Sequence, residues 1–283
     1  LSDDSIAKFG RTGTVVAPFW HPIKLAGEAA MADIIMDGRL DLGIARGAYS
    51  FEYDRIMPGL DAWNAGGRMR ELIPALKGLW AGDYAHDGQY WQFPATTSAP
   101  KPLQQPGPPM WVAARDPNSH DFAVAQGCNV QVTPLHQPHD EVVSLMDRFN
   151  AACAAHPDVP RPKIMILQHG YVAKDAADAA LAADELNAFY CYFGAWFLNK
   201  RPIHQGLIAP LTPDEIAAHP FYTPQVMRDN LLIGEASEVI EKLRKIQALG
   251  YDEFSLWIDS GMSFARKRDS LLRFINDVMP AFA

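Results

Sequence analysis

The chain has 283 residues, of which 48% are hydrophobic and 20% charged, a composition that excludes a disordered chain or a fibre. Its formal net charge of −8, without a basic stripe, argues against nucleic-acid binding. Three scattered cysteines predict neither a disulfide framework nor a metal site, and no apolar run approaches the ~20 residues of a membrane span. We therefore expect a cytoplasmic protein without a metal.

Short apolar strands alternate with helices through the first half of the chain. The pattern predicts strands at 12–19, 39–46, 110–115 and 129–133, helices at 24–37, 62–81, 117–126 and 138–154, and a hairpin at 83–94. Pro74 should kink the second helix or break off its first part. The proline-rich stretch 95–109 is predicted to be a surface loop.

The second half continues the alternation around one long interruption. It is predicted to contain strands at 163–173 and 253–258, helices at 175–199, 236–249 and 264–279, and an excursion loop at 201–234. Strands separated by helices pair in parallel, because crossover connections cover both faces of the sheet. Six such units without a change in composition predict a single α/β domain over 1–283, either a parallel barrel or an open doubly wound sheet.

One strand-to-helix junction could bind an anion. In MWVAARDPNS (110–119), Asp116 has the position of an N-cap, Pro117 that of the first helical residue, and Ser119 follows beside Arg115. A helix N-terminus with a hydroxyl and a nearby arginine suits a phosphate. The alternative is a capped helix and nothing more.

Two further residues are candidates for a pocket. Arg46 ends a predicted strand, where a cation faces the ligand side of a parallel sheet, although a surface ion pair would explain it equally well. His169 lies inside a predicted strand and is either a pocket residue or a hydrogen-bonded core histidine. The usual zinc, acyl-transfer and nucleotide-binding motifs are absent from the sequence.

Three segments together resemble the bacterial luciferase-like, flavin-dependent monooxygenases. They are HPIKLAGEAAMADIIMDGRLDLGIARGAY (21–49), MWVAARDPNS (110–119) followed by Gly127, and GYDEFSLWIDSGMSFARKRDSLLRFINDVMPAF (250–282). The resemblance implies a (β/α)8 TIM-type barrel whose first two strand–helix units are absent from this chain, with an excursion after the seventh strand at about 175–234. The family's catalytic histidine belongs to that absent region, so no catalytic residue is named here.

The resemblance also implies roles for individual residues. The phosphate of FMN would be held by Arg46 and by the loop that contains Ala114, Arg115, Asp116 and Ser119. The isoalloxazine ring would lie over Gly13 and Thr14, with Thr133 beside its edge. Ala45 stands where luciferase itself has a reactive cysteine, so light emission is not expected.

The activity implied by the resemblance is that of a monooxygenase that uses reduced FMN from a separate flavin reductase, and O2, to oxygenate a small apolar substrate, a cyclic or aromatic one included. The predicted pocket residues are Phe19, Trp20, Tyr49, His169 and Phe193. Two alternatives are an F420-dependent oxidoreductase on the same barrel and a non-catalytic flavin-binding protein. A homodimer is expected too, with Leu25, Ile34 and Ile35 buried between early helices.

Overall fold

Strands and helices alternate along the residues that the computed structural model describes, 15–198 and 201–282. These residues form two units, which are described separately. The first unit comprises the described residues up to Gln131 together with Ala152–Pro162. The second unit comprises Val132–Ala151 and the residues from Lys163 onward.

The first unit is built on parallel strands. Its elements are β1 (Val15–Val16), α1 (Pro22–Ile35), β2 (Leu42–Ala45), α2 (Ser50–Ile56), α3 (Ala62–Ala81), β3 (Tyr84–Asp87), β4 (Gln92–Thr96), β5 (Met110–Ala113), α4 (Pro117–Ala125) and β6 (Asn129–Val132), whose last residue belongs to the second unit. Strands β1, β2, β5 and β6 pair in this order and in parallel, as predicted. The predicted strand 12–19 reaches into the described residues only as Val15–Val16, and a 3-10 turn that contains Pro18 ends it.

Helices α1 and α3 cover the core of this unit. The apolar face of α3 is fully buried, with Leu72, Ile73, Leu76 and Leu79 inside. The indole of Trp80 donates to the carbonyl of Ala26 on α1 at 3.1 Å and so links the two helices. Strands β3 and β4 form the predicted antiparallel hairpin, with the turn at residues 88–91.

The second unit is also built on parallel strands. Its elements are α5 (His139–Ala155, which ends in the first unit), β7 (Ile164–Val172), α6 (Ala176–Leu198), β8 (Ile203–His204), β9 (Leu207–Ile208), α7 (Pro213–Ala217), α8 (Pro224–Asn230), β10 (Leu232–Gly234), α9 (Ala236–Ala248), β11 (Glu253–Trp257) and α10 (Phe264–Arg273). Strand β7 pairs in parallel with β11 along Met165–His169 and with β10 along Gly170–Val172. Gly170 is closely packed, because a Cβ atom at this position would lie 2.5 Å from Cδ1 of Leu256 and 3.3 Å from the carbonyl oxygen of Leu232.

The alanines of α6 let this helix pack closely against its neighbours. Its buried face contains Ala179, Ala182, Ala183, Leu186 and Tyr190, and it packs on Met227, Leu231, Ile233 and Met262. At the C-terminal end of the unit, α10 continues as a π-helical turn and a 3-10 turn to Phe282.

Segment 201–234 differs from the predicted structureless excursion. It contains the hairpin β8–β9, the helices α7 and α8 and the strand β10. Its elements have two to seven residues each, which is too short for a hydrophobic period to appear in the sequence. In the described ranges, no helix is both long and apolar enough to cross a membrane.

Candidate functional site

The sheet of the first unit places Arg46 and Arg115 at the same edge. Strand β2 ends at Ala45 and β5 ends at Ala113, and the two strands pair in parallel with Ile44 opposite Val112. Both arginines therefore follow the carboxyl ends of adjacent strands. In parallel α/β folds, ligands bind outside this edge.

The main chain around Arg46 is fixed by a buried tyrosine. The hydroxyl of Tyr53 lies 3.1 Å from the carbonyl oxygens of both Arg46 and Gly47. Gly47 has a φ of +97°, and a Cβ atom there would lie 3.0 Å from the Tyr53 ring. The turn after β2 is therefore held tightly. The guanidinium of Arg46 remains exposed, and no carboxylate pairs with it among the described residues.

A second arginine, which the sequence analysis missed, shares this position. A Cβ atom on Gly66 of α3 would lie 3.6 Å from Cδ of Arg46 and 3.4 Å from Nη1 of Arg70. The two side chains therefore meet over one glycine. Within 15–198 and 201–282, Arg70 has no carboxylate partner either, and its guanidinium lies 5.9 Å from the centre of the Phe122 ring on α4. The spacing of Gly66 and Arg70, four residues apart on one helix face, was the only signal in the sequence.

The N-terminus of α4 is occupied by its own cap. The carboxylate of Asp116 accepts from the amide of Ser119 at 3.0 Å, and the Ser119 hydroxyl donates to the carbonyl of Asp116 at 2.7 Å. The amide of Arg115 donates to the same hydroxyl at 3.0 Å. Burial raises the pKa of Asp116, but the hydrogen bonds from Ser119 outweigh burial and hold this pKa below its usual value.

The two arginines and the capped N-terminus of α4 differ in how well they could bind a flavin phosphate. Two guanidinium groups without carboxylate partners in the described chain suit a phosphate dianion, since arginine donates to its oxygens in pairs. The donors of Ser119, in contrast, already serve Asp116. The residues present therefore fit the phosphate through Arg46 and Arg70, and α4 contributes little while its cap is in place.

The structure also describes most of the other predicted site residues of the first unit. The three aromatic residues among them contact neighbouring side chains. Phe19 packs edge-on against Tyr53 at 6.1 Å, Lys24 lies 5.7 Å over the ring of Trp20, and Tyr49 stacks on Phe51 at 5.2 Å. Ala114 is buried and donates to the carbonyl of Gln131 at 3.0 Å. Gly13 and Thr14 lie outside the described residues.

The remaining predicted residues belong to the second unit. Thr133 follows β6 and is half-buried, and Phe193 is half-buried on α6. His169 is 0% exposed, and its ring stacks on that of Trp257 at 3.8 Å. The sequence analysis did not single out Trp257, although its place at the end of β11 is the kind of position that lines a barrel.

The hydrogen bonds of His169 define its chemical state. Its Nε2 lies 3.0 Å from the carbonyl of Asp259, which can only accept, so Nε2 carries the proton. The Tyr190 hydroxyl then donates to Nδ1 at 2.8 Å. Burial lowers the pKa of His169 to about 4, so the ring is neutral at physiological pH. Both nitrogens are engaged, and in this state the ring has a structural role.

Comparisons with known proteins agree with this arrangement. A family model described as luciferase-like monooxygenase matches residues 9–253. The chain is 68% identical over 272 residues to a flavin-dependent trigonelline monooxygenase, oxygenase component, from Acinetobacter baylyi, a match that covers 96% of this chain and 76% of the relative. It is 31% identical over 106 residues to an FMNH2-dependent dimethylsulfone monooxygenase from Pseudomonas putida, which covers 37% of this chain and 29% of the relative.

The fold is also found in a solved structure. A monooxygenase from Streptomyces bottropensis superposes with a TM-score of 0.75 at 24% identity, over 96% of this chain and 77% of that one. This likeness confirms the predicted α/β fold of the TIM-barrel type. Since the family model spans most of the sequence, the chain belongs to the luciferase-like monooxygenase family.

Proposed function

We propose that the chain is the oxygenase component of a two-component flavin monooxygenase and that it acts on a small aromatic substrate of the trigonelline type. Reduced FMN is the cofactor, and a separate reductase supplies it. The observation that carries the proposal is the 68% identity, over 96% of this chain, to a protein named as such an oxygenase component. The paired arginines over Gly66 support it, because they offer a site for the flavin phosphate.

Bound reduced flavin supplies the activation of O2, of which one atom enters the substrate and the other leaves as water. The protein has to bind the flavin, orient the substrate and keep water away. Arg46 and Arg70 would hold the phosphate, and Tyr53 fixes the turn that carries Arg46. The aromatic side chains at the strand ends would exclude water from the reacting atoms.

The substrate that we propose is aromatic, as the sequence analysis allowed, but it is charged and so differs from the apolar molecule expected there. Trigonelline is an N-methylated pyridine carboxylate, so its flat aromatic ring carries a positive charge and a carboxylate. Half-buried aromatic side chains of the second unit, such as Phe193 and Trp257, are suited to such a ring.

Oxygen labelling tests the proposed reaction. The protein is mixed with chemically reduced FMN, trigonelline and ¹⁸O2, and the products are analysed by mass spectrometry. We expect one ¹⁸O atom in the organic product and FMN as the oxidised cofactor. Oxidation of a substrate without ¹⁸O, and with F420 as the acceptor, would favour the deazaflavin alternative. Flavin binding without any substrate turnover would favour the non-catalytic alternative.

We also infer a homodimer in the cytoplasm. On α1, Met31, Ile34 and Ile35 are 51%, 40% and 77% exposed, which is an apolar surface that a second copy could cover. Leu25, which the sequence analysis assigned to this interface, is only 3% exposed and packs inside the first unit instead. Cys128 and Cys191 are buried as thiols, which is typical of a reducing compartment.

A further inference from the structure

We propose that Phe189, Phe193 and Trp257 bind the positively charged ring of the substrate, and that a neutral ring of the same shape binds more weakly. These residues are called the three-ring surface below. The proposal rests on the proposed function for its ligand, a pyridinium carboxylate. It adds the site within the second unit and the interaction that selects for charge.

The three rings form one continuous aromatic surface. Phe189 and Phe193 stand one helical turn apart on α6, with nearly parallel rings whose centres lie 5.5 Å apart. The ring of Trp257, at the end of β11, is perpendicular to that of Phe193 at 5.9 Å and nearly so to that of Phe189 at 6.4 Å. All three side chains are half-buried, so part of each ring is open to a ligand.

His169 holds Trp257 in place. The two rings are stacked at 3.8 Å with an angle of 19°, and both nitrogens of His169 are bonded, to Tyr190 and to Asp259. A histidine fixed in this way cannot rotate without losing two hydrogen bonds. Trp257 is therefore preorganised, so little entropy is lost when a ligand contacts the part of its side chain that remains exposed.

The charge of the surface favours a cation. The faces of aromatic rings carry partial negative charge, and they attract quaternary nitrogen groups that have been removed from water. In the part of the chain that the structure describes, no lysine or arginine lies over the rings of Phe189, Phe193 or Trp257. The neighbouring Arg266 and Arg273 lie over Tyr171 instead, at 5.0 and 6.0 Å. Among the described residues, the three rings therefore have no cationic partner of their own.

A pair of probes of equal shape separates charge from size. Trigonelline and 3-methylbenzoate have the same ring substitution and the same carboxylate, but only trigonelline has a charged ring nitrogen. Their dissociation constants are measured by titration calorimetry on the FMN-bound protein. We expect trigonelline to bind roughly tenfold more tightly, which corresponds to a cation–π contact that is largely desolvated.

Substitutions in the three-ring surface test which rings cause the preference for trigonelline over 3-methylbenzoate. Trp257→Leu should abolish most of the preference for trigonelline, Phe193→Leu should reduce it, and Trp257→Phe should retain part of it. Trp63→Leu is the matched control, because Trp63 is 82% exposed on the first unit and should leave both constants unchanged. Thermal melting of each variant shows whether it is folded, and Trp257→Phe keeps an aromatic ring at this position should the leucine variant unfold.

The outcomes distinguish this proposal from the proposed function. Equal binding of the two probes by the unaltered protein, or an undiminished preference in Trp257→Leu, would overturn the three-ring surface. If ¹⁸O still enters trigonelline in that case, the proposed function stands. If the protein neither binds nor oxygenates trigonelline, both the surface and the proposed substrate fail.

Discussion

At the edge of the first unit where β2 and β5 end, positively and negatively charged side chains lie at different places. Arg46 and Arg70 present positive charge over Gly66, whereas Asp116 places a carboxylate at the N-terminus of α4. Phe122 connects the two regions, because Arg70 lies over its ring and because it belongs to α4. A phosphate bound between them would be attracted by the arginines and repelled by the cap.

Replacement of Arg46 by alanine tests the first of these contributions. We expect Arg46→Ala to weaken FMN binding by roughly one to two orders of magnitude, since a charge-assisted hydrogen bond contributes about 1.5–3 kcal/mol. Riboflavin, which lacks the phosphate, should bind with nearly unchanged affinity. Fluorescence titration with both flavins measures this, and Arg244→Ala, an exposed arginine on α9, is the control. Equal losses for the two flavins would mean that Arg46 is structural.

Replacement of Asp116 by asparagine tests the second contribution. Asparagine caps helices about as well as aspartate, so Asp116→Asn should leave the free energy of unfolding almost unchanged. Removal of the negative charge should tighten FMN binding roughly fivefold, on the basis of ~1 kcal/mol for two charges in a solvated site. Riboflavin again serves as the reference. An unchanged affinity for FMN would place the phosphate away from α4.

At the scale of elements, a buried carboxylate ties α10 to β7 and α6. Asp178 on α6 is almost fully buried and lies 2.8 Å from Nη1 of Arg266 and 3.7 Å from Nη2 of Arg273. It also accepts from the hydroxyl of Tyr171 at 3.1 Å and from the amide of Lys174 at 3.1 Å. Burial raises the pKa of Asp178, but these hydrogen bonds and Arg266 outweigh burial, so this pKa is lower than usual.

The contribution of the Asp178 carboxylate to the free energy of unfolding should depend on pH. Asp178→Asn should lower the free energy of unfolding by about 1–3 kcal/mol at pH 7. This loss is smaller than that caused by breaking a fully buried ion pair, because the arginine side chains are partly exposed to solvent. The native pKa lies below the unfolded value of about 3.9, so the stabilisation is present above that pH and is lost as the pH falls through the native pKa. Urea titrations from pH 7 to pH 3 should show that the unaltered protein and Asp178→Asn become more similar in their free energy of unfolding only below about pH 4. Asp184→Asn, an exposed change on the same helix, should have little effect at any pH.

The elements also show where sequence reasoning works. The sequence predicts a helix at 62–81, and α3 is observed at Ala62–Ala81 with Pro74 inside it. Of the two expected effects of Pro74, a kink or the loss of the first part of the helix, the second is wrong. The buried face of Leu72, Ile73, Leu76 and Leu79 holds this helix together despite the missing amide. Helices α7 and α8 were missed because each has at most seven residues. Their caps were visible in the sequence, since Thr212 and Glu215 form a capping box and Thr223 caps α8 just before Pro224.

At the scale of the molecule, the alternation of strands and helices predicts parallel pairing, but it does not say which strands are neighbours. The barrel implied by the family resemblance makes β2 and β5 adjacent, and their observed parallel pairing places Arg46 and Arg115 at one edge. The sequence could not predict that Arg70 joins them, because this depends on how far α3 lies from the end of β2. The sequence could not show either that the Asp116 carboxylate would occupy the N-terminus of α4. The same residue types can cap a helix or leave its N-terminus open to an anion.

Association of two copies is the remaining property of the whole molecule that can be tested. The exposed apolar residues of α1, Met31, Ile34 and Ile35, should be buried between copies, so Ile35→Glu would place a charge in the interface. We expect the unaltered protein to sediment as a dimer at micromolar concentration and Ile35→Glu to raise the dissociation constant of the dimer at least tenfold. Ile56→Glu is the control, because Ile56 is 61% exposed at the end of α2 and away from this surface in sequence. A protein that is monomeric at this concentration before any substitution would contradict the proposed interface, whereas equal dissociation by both variants would mean that the contact lies elsewhere.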